Sequence, residues 1–327
     1  MTRLTLSRAL NEGLRKALED NPKALIMGED VGRLGGVFRV TDGLQKDFGE
    51  ARVMDTPLAE SGIIGTAIGL ALRGYRPICE IQFDGFVFPA FDQIVTQLAK
   101  MRYRSLGSVR LPLVIRIPFG GGIGAVEHHS ESPEALFVHT PGLRVISCGG
   151  PADGYTMIQQ AAACDDPVLF FEPKRRYWDR ADVDVDAGLS GALAMESART
   201  VVPGTEATVL CYGPMVRTCA EAAAVASAEG RSIEVIDLRS LAPLDTDAIF
   251  ASVRKTGRCI VVHEAVVTGG LGAEIAARVS QECFYQLEAP VLRVGAPGTP
   301  YPPSRLEEQY LPDLDRILDA VDRSFGY

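Results

Sequence analysis

The sequence predicts an α/β protein: a parallel-sheet domain with helices on both faces, followed by a second α/β domain. Three observations carry this. Short, almost wholly apolar strands alternate with amphipathic helical stretches, the pattern of a sheet buried on both faces. The alternation breaks once, from Tyr177 to Val202, where Asp179, Asp182, Asp184, Asp186, Gly188 and Gly191 replace large apolar residues. The chain has 327 residues, a length that fits two domains. We divide it into a domain over residues 1–178, a linker over 179–202 and a domain over 203–327.

The elements follow in order. Leu4, Leu6, Ala9, Leu10, Leu14, Ala17 and Leu18 have helical spacing, and Ala24-Leu25-Ile26-Met27-Gly28 is a short buried strand. Glu29 to Gly49 reads as a loop with a short helix, and Arg52-Val53-Met54 as a strand. Ile63 to Leu72 is a helix that Gly74 closes. Strands at Pro77–Ile81, Leu113–Ile117, Val145–Ile146 and Val168–Phe171 are separated by expected helices over Phe88–Tyr103 and Ala152–Cys164. The second domain repeats the rhythm. Its strands are Ala207–Cys211, Ser232–Ile236, Cys259–Val262 and Val291–Val294; its helices are Val216–Glu229, Thr246–Lys255, Gly272–Gln281 and Pro312–Ser324.

Composition narrows the function. Hydrophobic residues make up 46% and charged residues 23% of the chain, enough apolar material for a large core. The net charge of −9, without a block of like charges, argues against nucleic acid, which needs a basic face. The seven cysteines form no C-x-x-C pair and lie mostly in apolar segments, as in a reducing compartment. No signal peptide and no apolar run near the roughly 20 residues of a membrane helix is visible. The chain reads as soluble and cytoplasmic.

Five segments could carry chemistry. In Asp55-Thr56-Pro57-Leu58-Ala59-Glu60-Ser61-Gly62, Pro57 forbids a regular helix, so Glu60 stands near a helix N-terminus. Its dipole favours a carboxylate there with or without a functional role. Glu127-His128-His129-Ser130-Glu131-Ser132-Pro133-Glu134 holds two of the four histidines. Adjacent histidines do not share a helix face, so a metal pair is disfavoured. Ser132-Pro133-Glu134 looks like an N-cap, a first-turn proline and an acid, which leaves His129 in a loop as a proton shuttle or as a structural residue. Gly120-Gly121-Gly122-Ile123-Gly124 matches no nucleotide-loop register and suits close backbone approach instead. Gln82 and Phe86 lie in a turn at a strand's carboxyl end, where open α/β sheets bind ligands, while Phe88 and Phe91 read as core. The fifth is His263-Glu264 through Gly269-Gly270-Leu271-Gly272, with the proline-rich loop Pro297–Pro303.

In order and spacing these runs resemble the β subunits of the E1 components of 2-oxo acid dehydrogenase complexes. The runs that carry the resemblance are Met27-Gly28-Glu29-Asp30-Val31, Asp55–Glu60, Arg76–Phe83, Ala90–Ile94, His129–Glu134, Thr140–Val145, Phe170–Lys174 and His263–Gly272. The resemblance implies a thiamine pyrimidine-binding domain followed by a transketolase C-terminal-like domain. It matches Glu60 to the glutamate that hydrogen-bonds N1′ of the thiamine aminopyrimidine, which favours the imino form that activates the thiazolium. His129 matches the histidine implicated in acyl transfer to the lipoyl arm of E2, with Glu131 where many relatives carry glutamine. Leu58, Gln82 and Phe86 match cofactor- and substrate-pocket positions; many branched-chain relatives have tyrosine in place of Phe86. Ala161, Cys164 and Asp166 match a loop whose backbone carbonyls bind a monovalent cation such as K⁺ in some relatives.

The family holds Mg²⁺ and diphosphate through a Gly-Asp-Gly motif, which this sequence lacks. Oxygen ligands for Mg²⁺ must then come from an α subunit, in an α₂β₂ heterotetramer that passes acyl groups to the E2 acyltransferase core. Ser132–Phe137 and Phe170–Lys174 look more like the branched-chain branch than the pyruvate branch. Pyruvate or acetoin chemistry, split transketolases and a non-catalytic chain that only organises E2 docking are the alternatives.

Overall fold

The computed structural model describes residues 1–327. Strand β1 (Thr2–Thr5) runs directly into helix α1 (Leu6–Asp20), whose first turn is capped by the Thr5 hydroxyl accepting the Arg8 N–H at 3.2 Å. There follow β2 (Ala24–Gly28), α2 (Leu44–Phe48), β3 (Val53–Asp55), α3 (Glu60–Leu72), β4 (Arg76–Glu80), α4 (Ala99–Arg104), β5 (Val114–Phe119), α5 (Glu134–Val138), β6 (Arg144–Ser147), α6 (Pro151–Ala163) and β7 (Val168–Pro173). Strands β8 (Arg180–Val183) and β9 (Arg199–Val202) lie in the expected linker. The remainder is β10 (Ala207–Cys211), α7 (Met215–Ala228), β11 (Ile233–Asp237), β12 (Ser240–Ala242), α8 (Thr246–Thr256), β13 (Cys259–Val266), α9 (Leu271–Glu282), β14 (Leu292–Ala296), α10 (Glu307–Tyr310) and α11 (Leu314–Phe325).

Three sheets result. The first has seven strands in the order β12-β6-β7-β5-β4-β2-β3 and the second five in the order β14-β13-β10-β11-β9. Strands within each are parallel, except that β12 runs antiparallel to β6 and β9 antiparallel to β11. Strands β1 and β8 form a separate antiparallel ribbon. The period-two alternation of side chains divides the first sheet's faces. Ile26, Ile78, Val114 and Phe170 pack with Leu10, Leu14 and Ile158 of α1 and α6. Leu25, Met27, Cys79, Ile115 and Leu169 share a cluster with Ile63, Ile64 and Ala67 of α3. That cluster continues into the second sheet through Leu210, Ile236 and Val261, so one core joins both halves. Each fully buried aliphatic side chain contributes about 1.5–3 kcal/mol.

Three expectations need revision. The helix over Phe88–Tyr103 is instead a 3₁₀ turn (Asp84–Ala90), a π-helical turn (Gln93–Leu98) and then α4. Pro89 sits inside the first of these and cannot donate to an α-helical ladder. The helix after Pro57 begins at Glu60, three residues earlier than its apolar periodicity indicates, and ends before Gly74 at φ +85°. Strands β8 and β9 escape the pattern because they are edge strands with mostly exposed or intermediate positions, and β12, largely buried, because three residues make no run to read. No helix is long and apolar enough to cross a membrane, and all seven cysteines are free.

Candidate active site

The chain leaves β2 outward to β3 and returns across it to β4 on the other side. Such a reversal opens a crevice at the carboxyl ends of the two central strands. Glu29 follows β2, Glu60 opens α3 just past β3, Gln82 follows β4, and the segment carrying His129 follows β5. The sequence-predicted residues therefore share one edge of one sheet. Across the junction, Gln82 Nε2 donates to the Glu29 carbonyl at 3.4 Å and to Asp30 Oδ2 at 3.2 Å.

Glu60 is 7% exposed and Glu29 8%. No side chain caps α3, so its free N–H groups and its dipole face the Glu60 end. Burial pushes the Glu29 carboxyl above its ordinary value, and the nearby Glu60 and Asp30 charges push it further. Glu29 Oε1 has no hydrogen-bond partner in the protein. Beside these carboxylates Leu58 is 79% exposed, an apolar side chain facing outward with nothing of its own chain to cover it. A buried acid pair with an unpartnered oxygen, next to an uncovered apolar residue, fits a flat heteroaromatic ring that carries a hydrogen-bonding nitrogen.

His129 ends a 3₁₀ turn (Glu127–His129). Its ring packs at 4.1 Å from Phe83 and 5.1 Å from Phe86, and its Nδ1 is buried without a partner. Burial, then the His128 and Lys174 charges, pull its pKa below the ordinary imidazole value, which favours the neutral ring. His128 is exposed and its ring crosses that of His129 at 72°. No cluster of three or more His, Cys, Asp or Glu is arranged to hold a metal ion.

The glycine loop serves the junction with the second sheet. Gly121 N–H donates to Glu264 Oε2 at 3.1 Å, and the Gly122 and Gly124 N–H groups donate to the Glu307 carboxylate at 2.9 and 3.0 Å. A Cβ on Gly121 would lie 2.0 Å from the Tyr301 hydroxyl oxygen. Helix α5 begins at Glu134 with Pro133 in the capping position, not with Ser132 as its cap. Glu134 points inward, where its Oε1 accepts the Tyr212 hydroxyl at 2.6 Å. Phe88, expected in the core, is 44% exposed and lines a cleft of about 270 Å³ between the two halves.

The cation loop is already engaged. The Ala161 carbonyl accepts the Cys164 N–H, and the Cys164 carbonyl accepts Arg76 Nη1 at 3.0 Å. The Asp166 side chain pairs with Arg144 and Arg102. A cation at the Cys164 carbonyl would face the Arg76 guanidinium charge already there.

Sequence reasoning missed the buried ions behind the site. Arg116, fully buried, binds Glu172 through two bonds of 2.7 and 2.9 Å and Glu80 at 2.5 Å, and Tyr177 donates to Glu172 at 2.6 Å. Lys174 pairs with Asp84, both buried. The available signal was a charge set inside an apolar strand: Glu80 in Cys79-Glu80-Ile81, Arg116 in Ile115-Arg116-Ile117, and Glu172 after Phe171.

Residues 2–178 match the family model of the transketolase pyrimidine-binding domain and residues 196–317 that of the transketolase C-terminal domain. The chain is 59% identical over 324 residues to a pyruvate dehydrogenase E1 component subunit beta of Leifsonia xyli subsp. xyli, covering 99% of this chain and 95% of that one. It is 52% identical to a 3-methyl-2-oxobutanoate dehydrogenase subunit beta of Mycobacterium tuberculosis, covering 98% and 91%. A solved split-gene transketolase, an inactive β₄ tetramer, is similar in fold, with a TM-score of 0.82 at 24% identity over 99% of this chain and 98% of that one.

Proposed function

The chain belongs to the transketolase-like E1 β subunits of 2-oxo acid dehydrogenases, and we propose that with an α subunit it oxidatively decarboxylates a branched-chain 2-oxo acid and acylates the lipoyl group of E2. The observation that carries the proposal is the buried Glu60 at a bare helix N-terminus, with His129 at the same sheet edge. Thiamine diphosphate, when bound, supplies the nucleophilic carbon and the electron sink for loss of CO₂. Glu60 would hold a proton at the pyrimidine N1′; Leu58 and Phe86 would pack on the cofactor and substrate, and Gln82 would line the same pocket. Mg²⁺ would be held by the α subunit, because this chain has no Gly-Asp-Gly.

Overall, the carbon–carbon bond of the 2-oxo acid breaks and releases CO₂, its electron pair reduces the lipoyl disulfide, and one sulfur takes the acyl group. The other sulfur needs a proton, which His129 would deliver. K⁺ on the carbonyls of Ala161, Cys164 and Asp166 would have to displace Arg76, and a higher melting temperature in KCl than in choline chloride would reveal that exchange. The seven free cysteines, six of them buried, support a cytoplasmic setting.

The test is kcat/KM for 3-methyl-2-oxobutanoate and for pyruvate, with the α partner, thiamine diphosphate, Mg²⁺ and an artificial electron acceptor. A clear preference for the branched acid is expected. The 59% identical relative named for pyruvate favours the second reading, and a preference for pyruvate would establish it with the same mechanism. Glu60→Gln should lose most activity with both acids while folding normally; full activity would sink the assignment of Glu60.

A further inference from the structure

Lysine is rarely buried unless something inside the protein holds its charge. Lys174, the first residue after β7, is 1% exposed. Its ammonium contacts two groups, Asp84 Oδ1 and the backbone carbonyl of His129. Asp84, fully buried, uses its other oxygen to accept the Glu131 backbone N–H at 2.8 Å. One ion pair thus grips both sides of Ser130: the carbonyl before it and the amide after it. Lys174 Nζ also lies 5.4 Å over the Phe83 ring, the ring against which the His129 imidazole packs at 4.1 Å. Gly85, next to Asp84, lets this turn close on the loop, since a Cβ there would lie 2.4 Å from the His128 carbonyl oxygen.

The Arg116 cluster behaves differently. Its bonds run to Glu80 at the end of β4 and Glu172 within β7, so they tie the sheet to itself. The bonds of the Lys174–Asp84 pair leave the sheet for a loop in which Glu127, His128 and Val126 are exposed. We propose that Lys174 and Asp84 are positioning residues, a buried clamp that sets the His129 backbone and ring for proton delivery to the lipoyl sulfur. This rests on the acyl-transfer role of His129 proposed above.

The experiment compares two turnovers in the assembled enzyme with its α partner: one with an artificial electron acceptor, one with the isolated lipoyl domain of E2. Lys174→Met and the neutral pair Asp84→Asn with Lys174→Met are measured beside His129→Asn, and melting temperature and thiamine diphosphate affinity are recorded for each. The neutral pair avoids a lone buried charge, so it keeps the test informative if the single variant folds poorly. Misplacement by about 1 Å can cost roughly a hundredfold in rate, so the ratio of lipoyl-linked to acceptor-linked turnover should fall at least about tenfold in His129→Asn and in both clamp variants. An unchanged ratio in the clamp variants alongside a lowered ratio in His129→Asn overturns the clamp and leaves His129 standing. An unchanged ratio in all three overturns the reading of His129 and the clamp with it.

Discussion

Glu134 offers a test of the junction between the two halves that is separate from catalysis. Its carboxyl is fully buried, with Oε1 accepting the Tyr212 hydroxyl and Oε2 without a partner. Burial raises its pKa from 4.5 to about 7; the Tyr212 hydrogen bond opposes the rise, and the Glu264 and Asp84 charges add to it. Between these two values the folded chain binds more protons at Glu134 than the unfolded chain. The stability from this group is therefore fully present below the unfolded value and lost as the pH rises through about 7. At about 1.4 kcal/mol per unit, the loss between about pH 5 and pH 8 comes to roughly 2.5 kcal/mol. Glu134→Gln removes the titration while keeping an acceptor for Tyr212. It leaves an unpaired amide at the Oε2 position, a pH-independent cost of about 1–3 kcal/mol. Asp84 and Asp237, raised by burial to about 6 and about 7, titrate in both proteins and cancel in the comparison apart from the repulsion between Asp84 and Glu134. Melting curves of the assembled enzyme across this pH range should fall more steeply for the wild type, by roughly 2–4 °C over the interval. Parallel curves would refute the assignment of a neutral Glu134 to the junction.

Other outcomes follow from the same geometry. Arg116→Met strands Glu80 and Glu172 without a counter-charge and should cost about 3–5 kcal/mol in denaturant unfolding; adding Glu80→Gln and Glu172→Gln should recover much of it. Gly121→Ala drives a methyl into the Tyr301 hydroxyl, and a double-mutant cycle with Tyr301→Phe should show a coupling of about 0.5–3 kcal/mol. Glu264→Gln removes the charge that faces Arg175 at 2.8 Å and should lower the melting temperature without changing the ratio of the two turnovers.

The central strands were legible because burial on both faces leaves an apolar run, as in Ala24–Met27 or Cys259–Val262. Strand β12 was not, since Ser240-Leu241-Ala242 has no run to read and takes its conformation from β6, about a hundred residues earlier in the chain. The π-helical turn at Gln93–Leu98 was hidden for a related reason: its apolar spacing suits an α-helix, and only the packed environment selects the wider turn. In the site, Glu60 and His129 could be placed by position, at a helix start and in a polar loop, while their roles came only from the resemblance. Lys174 could not, because a lysine after Phe170-Phe171-Glu172-Pro173 looks like the return of the chain to solvent. Its burial depends on Asp84, ninety residues away, and no local pattern records that partner.

Strand β12 has a consequence for biosynthesis. It hydrogen-bonds to β6, and Ser147 N–H donates to the Arg239 carbonyl at 2.8 Å, so the outer rim of the first sheet is completed by a segment made after three strands of the second sheet. Until the ribosome has released Ala242, the edge of β6 is open, and an open edge beside apolar Val145 and Ile146 is a template for pairing between nascent chains. A fragment ending at Val202 should therefore precipitate under conditions that keep the full chain in solution.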